Sequence, residues 1–195
     1  MLNRQLLNLI ISCLLSTIAL AQATTTSCGQ KEITQQLYLK NPALQQLTKQ
    51  LEAQLYERNK KIASGEIIPQ QTNAVVTLPV VVHIIHNGGA ENITDAQVFA
   101  GIQHLNEAFA NIGYYDPSNG VNTDIQFCLA QRDPNNNPTN GITRDVSAYT
   151  VMGGPSYYSD DLNVKNINRW DPKQYINIWL VKSIPGSVAG YAYLP

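Results

Sequence analysis

The sequence predicts an α/β domain, a mostly parallel twisted sheet backed by helices, led by a helical pro-segment. Three stretches carry that prediction. Leu78 to His86 is apolar on both alternating faces, with Val81, His83 and Ile85 pointing one way and Val80, Val82, Ile84 and His86 the other. Such a strand lies inside a sheet covered on both sides. A capped amphipathic helix and an alternating strand, Ile125 to Ala130, come next; strand, helix and strand in one compact stretch imply a crossover and a parallel pair. Tyr175 to Val181 is a third strand, heavy in β-formers and again apolar on both faces.

The chain has 195 residues, room for one domain plus extras. With 44% hydrophobic and 14% charged residues it is globular rather than disordered. A formal net charge of -1, with no basic run and no Gly-rich phosphate loop, gives no argument for nucleic acid or an anionic membrane as partner.

Residues 1–21 read as a secretory signal: Arg4 is the lone n-region charge, Leu6 to Leu20 the apolar run, and Ala19-Leu20-Ala21 the small-x-small cleavage site. The run is short for a bilayer span, so export and removal are expected, leaving a secreted chain without a membrane anchor. A lipid anchor at Cys13 is the alternative, and the few apolar residues before it argue against that. Cys28 and Cys128 then remain, in a compartment where disulfides persist.

Residues 22–74 form the expected pro-segment and linker. A helix begins near Lys31, and Asn41-Pro42 supplies an N-cap followed by proline at the first helical position. Leu44, Leu47, Leu51 and Leu55 recur at helical spacing, and Gly65 sits where a C-terminal cap falls. That stripe is narrow, so the helix has to lie on something larger. Glu66 to Val75 is a polar connector, and the domain proper runs over 75–195.

Within the domain, Asn87-Gly88-Gly89 stops the first strand. Thr94 and Gln97 make a capping box, Val98, Ile102, Leu105 and Phe109 form one helical stripe, and Gly113 ends it. Asp133 to Pro138 is a surface loop. No period dominates from Ile142 to Lys165, which predicts irregular structure. Ile184-Pro185-Gly186 turns the chain into a fourth strand of small residues, Val188 to Leu194, containing Gly190-Tyr191-Ala192-Tyr193.

Chemistry is sparse. His83 and His86 are three apart, and on a strand that spacing faces opposite sides, so they read as structural histidines rather than a shared metal site. His104 lies off its helix's apolar stripe and reads as solvated. There is no His-Glu-x-x-His, Cys-x-x-Cys or Gly-x-Ser-x-Gly. Cys128 reads as a small buried apolar residue, with disulfide use as the alternative. Glu107, Asp160 and Asp161 read as solvated carboxylates. The residues alone support a secreted α/β domain without a complete active site.

An ordered series of stretches adds to this reading: Val80 to Gly89, Leu105-Asn106-Glu107-Ala108-Phe109, Ile125 to Ala130, Asn140-Gly141-Ile142-Thr143-Arg144, Trp170-Asp171-Pro172, Tyr175 to Trp179, and Gly190 to Pro195. Together, over Leu78 to Pro195, they resemble the N-terminal half of a pappalysin-type, cytophagalysin-like secreted zinc metallopeptidase. The resemblance implies a metzincin-like N-terminal subdomain, peptide or protein substrates and catalytic zinc, and it allows calcium as an additional ion. The zinc motif of that family, His-Glu-x-x-His-x-x-Gly-x-x-His, is absent from these residues. The expectation is therefore a truncated peptidase, inactive as given.

The resemblance also implies roles for particular residues. Gly190, Tyr191, Ala192 and Tyr193 take the place of the edge strand that borders the cleft and pairs with extended substrate; another core strand is the alternative. Ser27-Cys28-Gly29 ahead of a pro-helix resembles a latency switch in which Cys28 ligates the zinc. The rival is a Cys28–Cys128 disulfide closing a loop of about 100 residues, worth about 4.7 kcal/mol by chain entropy. Two other readings stay open: a secreted non-catalytic peptide-binding module that uses the sheet edge with Tyr157-Tyr158 and Tyr191/Tyr193, and a free-standing inhibitor-like pro-domain product.

Overall fold

Caps and periods in the sequence become elements close to their expected places in the computed structural model, which describes residues 27–69, 74–115, 117–153 and 160–193. In chain order these are β1 (Ser27–Cys28), α1 (Gln30–Lys40), α2 (Pro42–Ala63), β2 (Val76–His86), α3 (Asp95–Ala110), β3 (Ile125–Leu129), β4 (Ile142–Val146), α4 (Asp161–Lys165), β5 (Ile176–Leu180) and β6 (Val188–Gly190). The expected signal with Cys13, the pair Tyr157-Tyr158, and Leu194 with Pro195 lie outside the described residues. Among the described residues no helix is long and apolar enough to cross a membrane.

β2 is central because its β-branched residues can be buried on both sides. Val76–Val80 pairs with β3, Val82–His86 with β4 and Val80–Ile84 with β5, every pair parallel. β3 and β4 share one edge. Ala130 N–H donates to Val80 O at 2.8 Å and Val82 N–H donates to Gly141 O at 2.9 Å, so residues 131–140 loop out between consecutive rungs. Gly141 makes the return, with φ +72° and no room for a Cβ, which would stand 2.7 Å from the Ala130 nitrogen.

One face of β2 packs Val80, Val82 and Ile84 against Val98, Ile102, Leu105 and Phe109 of α3, with Phe127 and Ile142 completing the cluster. The other face buries Val81 against Trp170, and Ile85 against Met152 and Val164. Val80, Val81, Ile84 and Ile85 are all fully buried, each contributing about 1.5–3 kcal/mol of apolar transfer.

The α3 capping box forms: Gln97 N–H donates to Thr94 Oγ1 at 3.3 Å, and Thr94 N–H donates to Gln97 Oε1 at 3.0 Å. The helix ends earlier than expected, at Asn111 rather than Gly113, because Asn111 itself takes the left-handed conformation, with φ 54°. Asn106 ties α3 to the outer edge of β3. It accepts from Phe127 N–H at 2.7 Å and donates to Phe127 O at 2.9 Å, standing in for a neighbouring strand.

In α2, Asn41 caps and Pro42 occupies the first position, as expected, and Gly65 follows the C-cap with φ +76°. Its leucine stripe is not covered: Leu47, Leu51 and Leu55 are 61%, 53% and 50% exposed, and no residue of α2 is buried.

Four expectations need correction. Ile142 to Lys165 is not wholly irregular but contains β4 and α4. β4 escaped the periodicity argument because its polar Thr143 and Asp145 serve a buried histidine, while its apolar Val146 is 75% exposed. The fourth strand is shorter than Val188 to Leu194 and stops at Gly190. Cys128 is exposed, since β3 is a margin strand with α3 against one face only. Asp161 is 1% exposed rather than solvated, and Asp160 accepts from Gly153 N–H at 2.6 Å.

Candidate functional site

Among the described residues β6 has no partner in the main sheet. Its partner is β1, near the N-terminus of the described residues, in a parallel pair with Ser27 opposite Val188 and Cys28 opposite Gly190. Gly29 N–H donates to Gly190 O at 3.0 Å. At Gln30 the chain after β1 turns into α1, so its main chain can no longer follow the edge. The Gln30 side chain continues the pairing instead, with Ala192 N–H donating to its Oε1 at 2.8 Å. Ile33, one turn into α1, is 2% exposed, so the start of this helix is covered.

The four residues singled out on this edge divide by role. Gly190 and Ala192 offer backbone groups to Gly29 and Gln30. Tyr191 and Tyr193 turn their phenols to Asp161 at the start of α4. Tyr191 Oη donates to Oδ1 at 2.5 Å, and the Tyr193 hydroxyl donates to Oδ2. Lys165, one turn on, completes the cluster with an ion pair to Oδ1 at 2.9 Å, bent away from good hydrogen-bond geometry, and its Nζ lies 3.0 Å from the Tyr193 ring centroid.

Burial first, then the hydrogen bond and charge of Asp161, push the Tyr193 phenol well above its ordinary range. Burial lowers the Lys165 ammonium, and Asp161 opposes that shift. Sequence reasoning missed this cluster. The signals present were an acidic residue four before a lysine and two tyrosines at a spacing of two.

The Cys28 thiol is exposed, and Cys28 and Cys128 are both free. His83 is a structural ring: it is fully buried, stacks on Trp179 at 5.2 Å and meets Trp170 edge-on at 6.2 Å. Asn177 sets its tautomer. The Asn177 amide nitrogen donates to Trp170 O and Tyr175 O, so Oδ1 faces the ring and accepts from His83 Nε2–H at 3.0 Å. In the neutral ring Nδ1 then accepts from the Thr143 hydroxyl at 2.8 Å. Burial lowers the His83 pKa, which keeps the ring neutral.

The other nitrogen and carboxylate groups are dispersed. His86 Nδ1 accepts from Gly88 N–H at 3.1 Å, and His104 reaches only Glu107, at 3.3 Å on the surface of α3. Among the described residues no three His, Cys, Asp or Glu side chains converge. With both His83 nitrogens engaged and Cys28 standing alone, these residues do not fit a zinc site. A groove of about 530 Å³ between α3 and β3, lined by Phe99, Ile102, Asn106 and Ile125, includes no residue of β6.

No family model and no curated protein matches the chain. Solved structures do. A mutant of Tannerella forsythia promirolysin is similar at 30% identity with a TM-score of 0.54, over 87% of this chain and 53% of that one. Mature mirolysin of T. forsythia in complex with a cleaved peptide is similar at 37% identity and TM-score 0.48, over 55% of this chain and 43% of that one. Mirolysin in complex with a compound is similar at 36% identity and TM-score 0.44, with the same coverage of 55% and 43%. The chain thus spans about half the length of the solved structures it matches. The likeness to promirolysin supports a relation to metallopeptidases and agrees with the α/β fold and mostly parallel sheet of this chain.

Proposed function

We propose that the chain is the N-terminal portion of a secreted zinc endopeptidase of the pappalysin type, held latent by its own pro-segment. The observation that carries this reading is the β1–β6 ladder, in which Ser27 to Gln30 takes the backbone groups of Gly190 and Ala192. An edge read through main-chain groups accepts many sequences, as an endopeptidase cleft must. A substrate strand and the pro-segment would compete for the same two atoms. The promirolysin likeness adds support, because an alignment over 87% of the chain extends past residues 75–195 into the pro-segment.

These residues align peptide; they do not supply the zinc ligands. The 195-residue chain is therefore inactive by itself, and Cys28, at the centre of the ladder, is the thiol that quenches the zinc of the longer enzyme. Two measurements test this. In the full-length zymogen, Cys28→Ala gives spontaneous proteolysis, and unchanged latency, or a Cys28–Cys128 linked peptide under non-reducing conditions, refutes the switch. The 195-residue chain dialysed against zinc retains less than one equivalent and leaves casein intact; stoichiometric zinc with chelator-sensitive cleavage overturns the reading. A non-catalytic peptide-binding module is the second reading, favoured by the scattered metal-binding side chains. For a module, Cys28→Ala leaves the main-chain ladder in place and generates no protease activity.

A further inference from the structure

We propose that Asp161 is the positioning residue of the peptide-binding edge: its buried carboxylate ties Tyr191 and Tyr193, on either side of Ala192, to helix α4. The inference rests on the peptide-binding reading above and assigns the residue that keeps this edge in place. The need for such a residue comes from topology. Among the described residues β6 pairs with β1 alone, and the four-stranded sheet holds β2 to β5 without it. Once a pro-segment leaves, no ladder joins the edge to the core, so side chains have to do so.

Asp161 is placed for that task. It is 1% exposed at the first position of α4, and one turn on, Val164 is buried against Ile85 of β2 and Met152. α4 is thereby docked on the sheet, and the Tyr191 ring packs on the same cluster. Each carboxylate oxygen takes one phenol, and Lys165 balances the charge at 2.9 Å. Residues two apart in extended chain point to one side. Fastening both phenols therefore fixes the rotation of the chain between them and presents Ala192 N–H at the edge, where Gln30 Oε1 meets it at 2.8 Å. A carboxylate with two oxygens can do this with one side chain.

The test is residue-resolved hydrogen exchange on the full 195-residue chain, comparing wild type with Asp161→Ala, Asp161→Asn and the pair Tyr191→Phe/Tyr193→Phe. Wild type protects the Gly29 and Ala192 amides. Asp161→Ala exchanges both about tenfold faster while amides of β2 and β5 keep their rates. Asp161→Asn, which keeps one acceptor oxygen, falls between. With its β2 and β5 amides unchanged, the Asn variant also shows tyrosinate absorbance rising at lower pH than wild type, because the Asp161 charge that opposes ionisation is gone. If Asp161→Ala loosens β2 as well, the double phenylalanine variant, which keeps both rings, decides by the same two amides. Unchanged Gly29 and Ala192 rates in a folded variant overturn the role of Asp161 and leave the peptide-binding reading intact. Absence of protection at these amides in wild type overturns both, because the ladder itself is then missing.

Discussion

Replacing His83 by phenylalanine separates the packing of this ring from its hydrogen bonds, and the structure gives the size of each. The phenylalanine ring stays between Trp179 and Trp170, whose centroids lie 5.2 and 6.2 Å from that of His83. Two hydrogen bonds are lost, but neither partner is stranded. Asn177 Oδ1 still accepts from Trp170 N–H at 2.9 Å, and the Thr143 hydroxyl, released from Nδ1, turns its one proton to Asp145 Oδ2, 3.2 Å away. The cost at neutral pH is therefore about 1–2 kcal/mol. His83→Ala also empties the ring's volume at a fully buried site and costs about 3–5 kcal/mol.

Acid distinguishes the variants further. Burial holds the His83 pKa below its ordinary 6.5. Above that value the ring is neutral whether folded or unfolded, and stability is at its full level. Below it the unfolded chain takes up a proton that the folded chain refuses, so stability falls, with a limiting slope of about 1.4 kcal/mol per pH unit until the depressed folded pKa is reached. His83→Phe removes that contribution. Urea unfolding followed by tryptophan fluorescence from about pH 5 to about pH 8 measures both effects, since Trp170 and Trp179 flank the site. An acid slope identical in wild type and His83→Phe, or a phenylalanine variant as damaged as the alanine one, refutes the assignment.

Two further predictions concern the shared edge of the sheet. Asn106→Ala strips the Phe127 N–H and C=O of their partners and lowers stability by about 1–2 kcal/mol, with faster exchange confined to β3; a loss below about 0.3 kcal/mol in urea unfolding shows that water replaces the amide at no cost. Gly141→Ala costs about 2–3 kcal/mol, because it combines a left-handed φ with a Cβ 2.7 Å from the Ala130 nitrogen; a thermal midpoint equal to wild type shows that the crossing from β3 to β4 yields easily.

Much of the fold was legible because it obeys local rules. β2 announced itself through β-branched residues on both faces, and α3 through its capping box and the Val98, Ile102, Leu105, Phe109 stripe. Asn41 with Pro42 marked the start of α2 in the same way. His83, a buried polar ring, was read correctly as structural, but other inward polar and outward apolar residues escaped. β4 was missed because its polar Thr143 faces inward to His83, with Asp145 beside it. Asp161 was read as solvated because nothing near it in sequence names Tyr191 and Tyr193, thirty residues on, as its partners. Cys128 was read as buried because alternation does not say which strand stands at the margin of a sheet.

The sequence by itself therefore determined the central strand β2 with α2, α3, β3 and β5, since φ/ψ preference, capping and side-chain period act within a few residues. Only the tertiary structure decided that Ser27 to Gln30 lies along Val188 to Ala192, and that one buried carboxylate fastens the edge they share. The reason is physical: backbone edges carry the same donors and acceptors whatever their side chains, so the choice of partner is made by the folded chain.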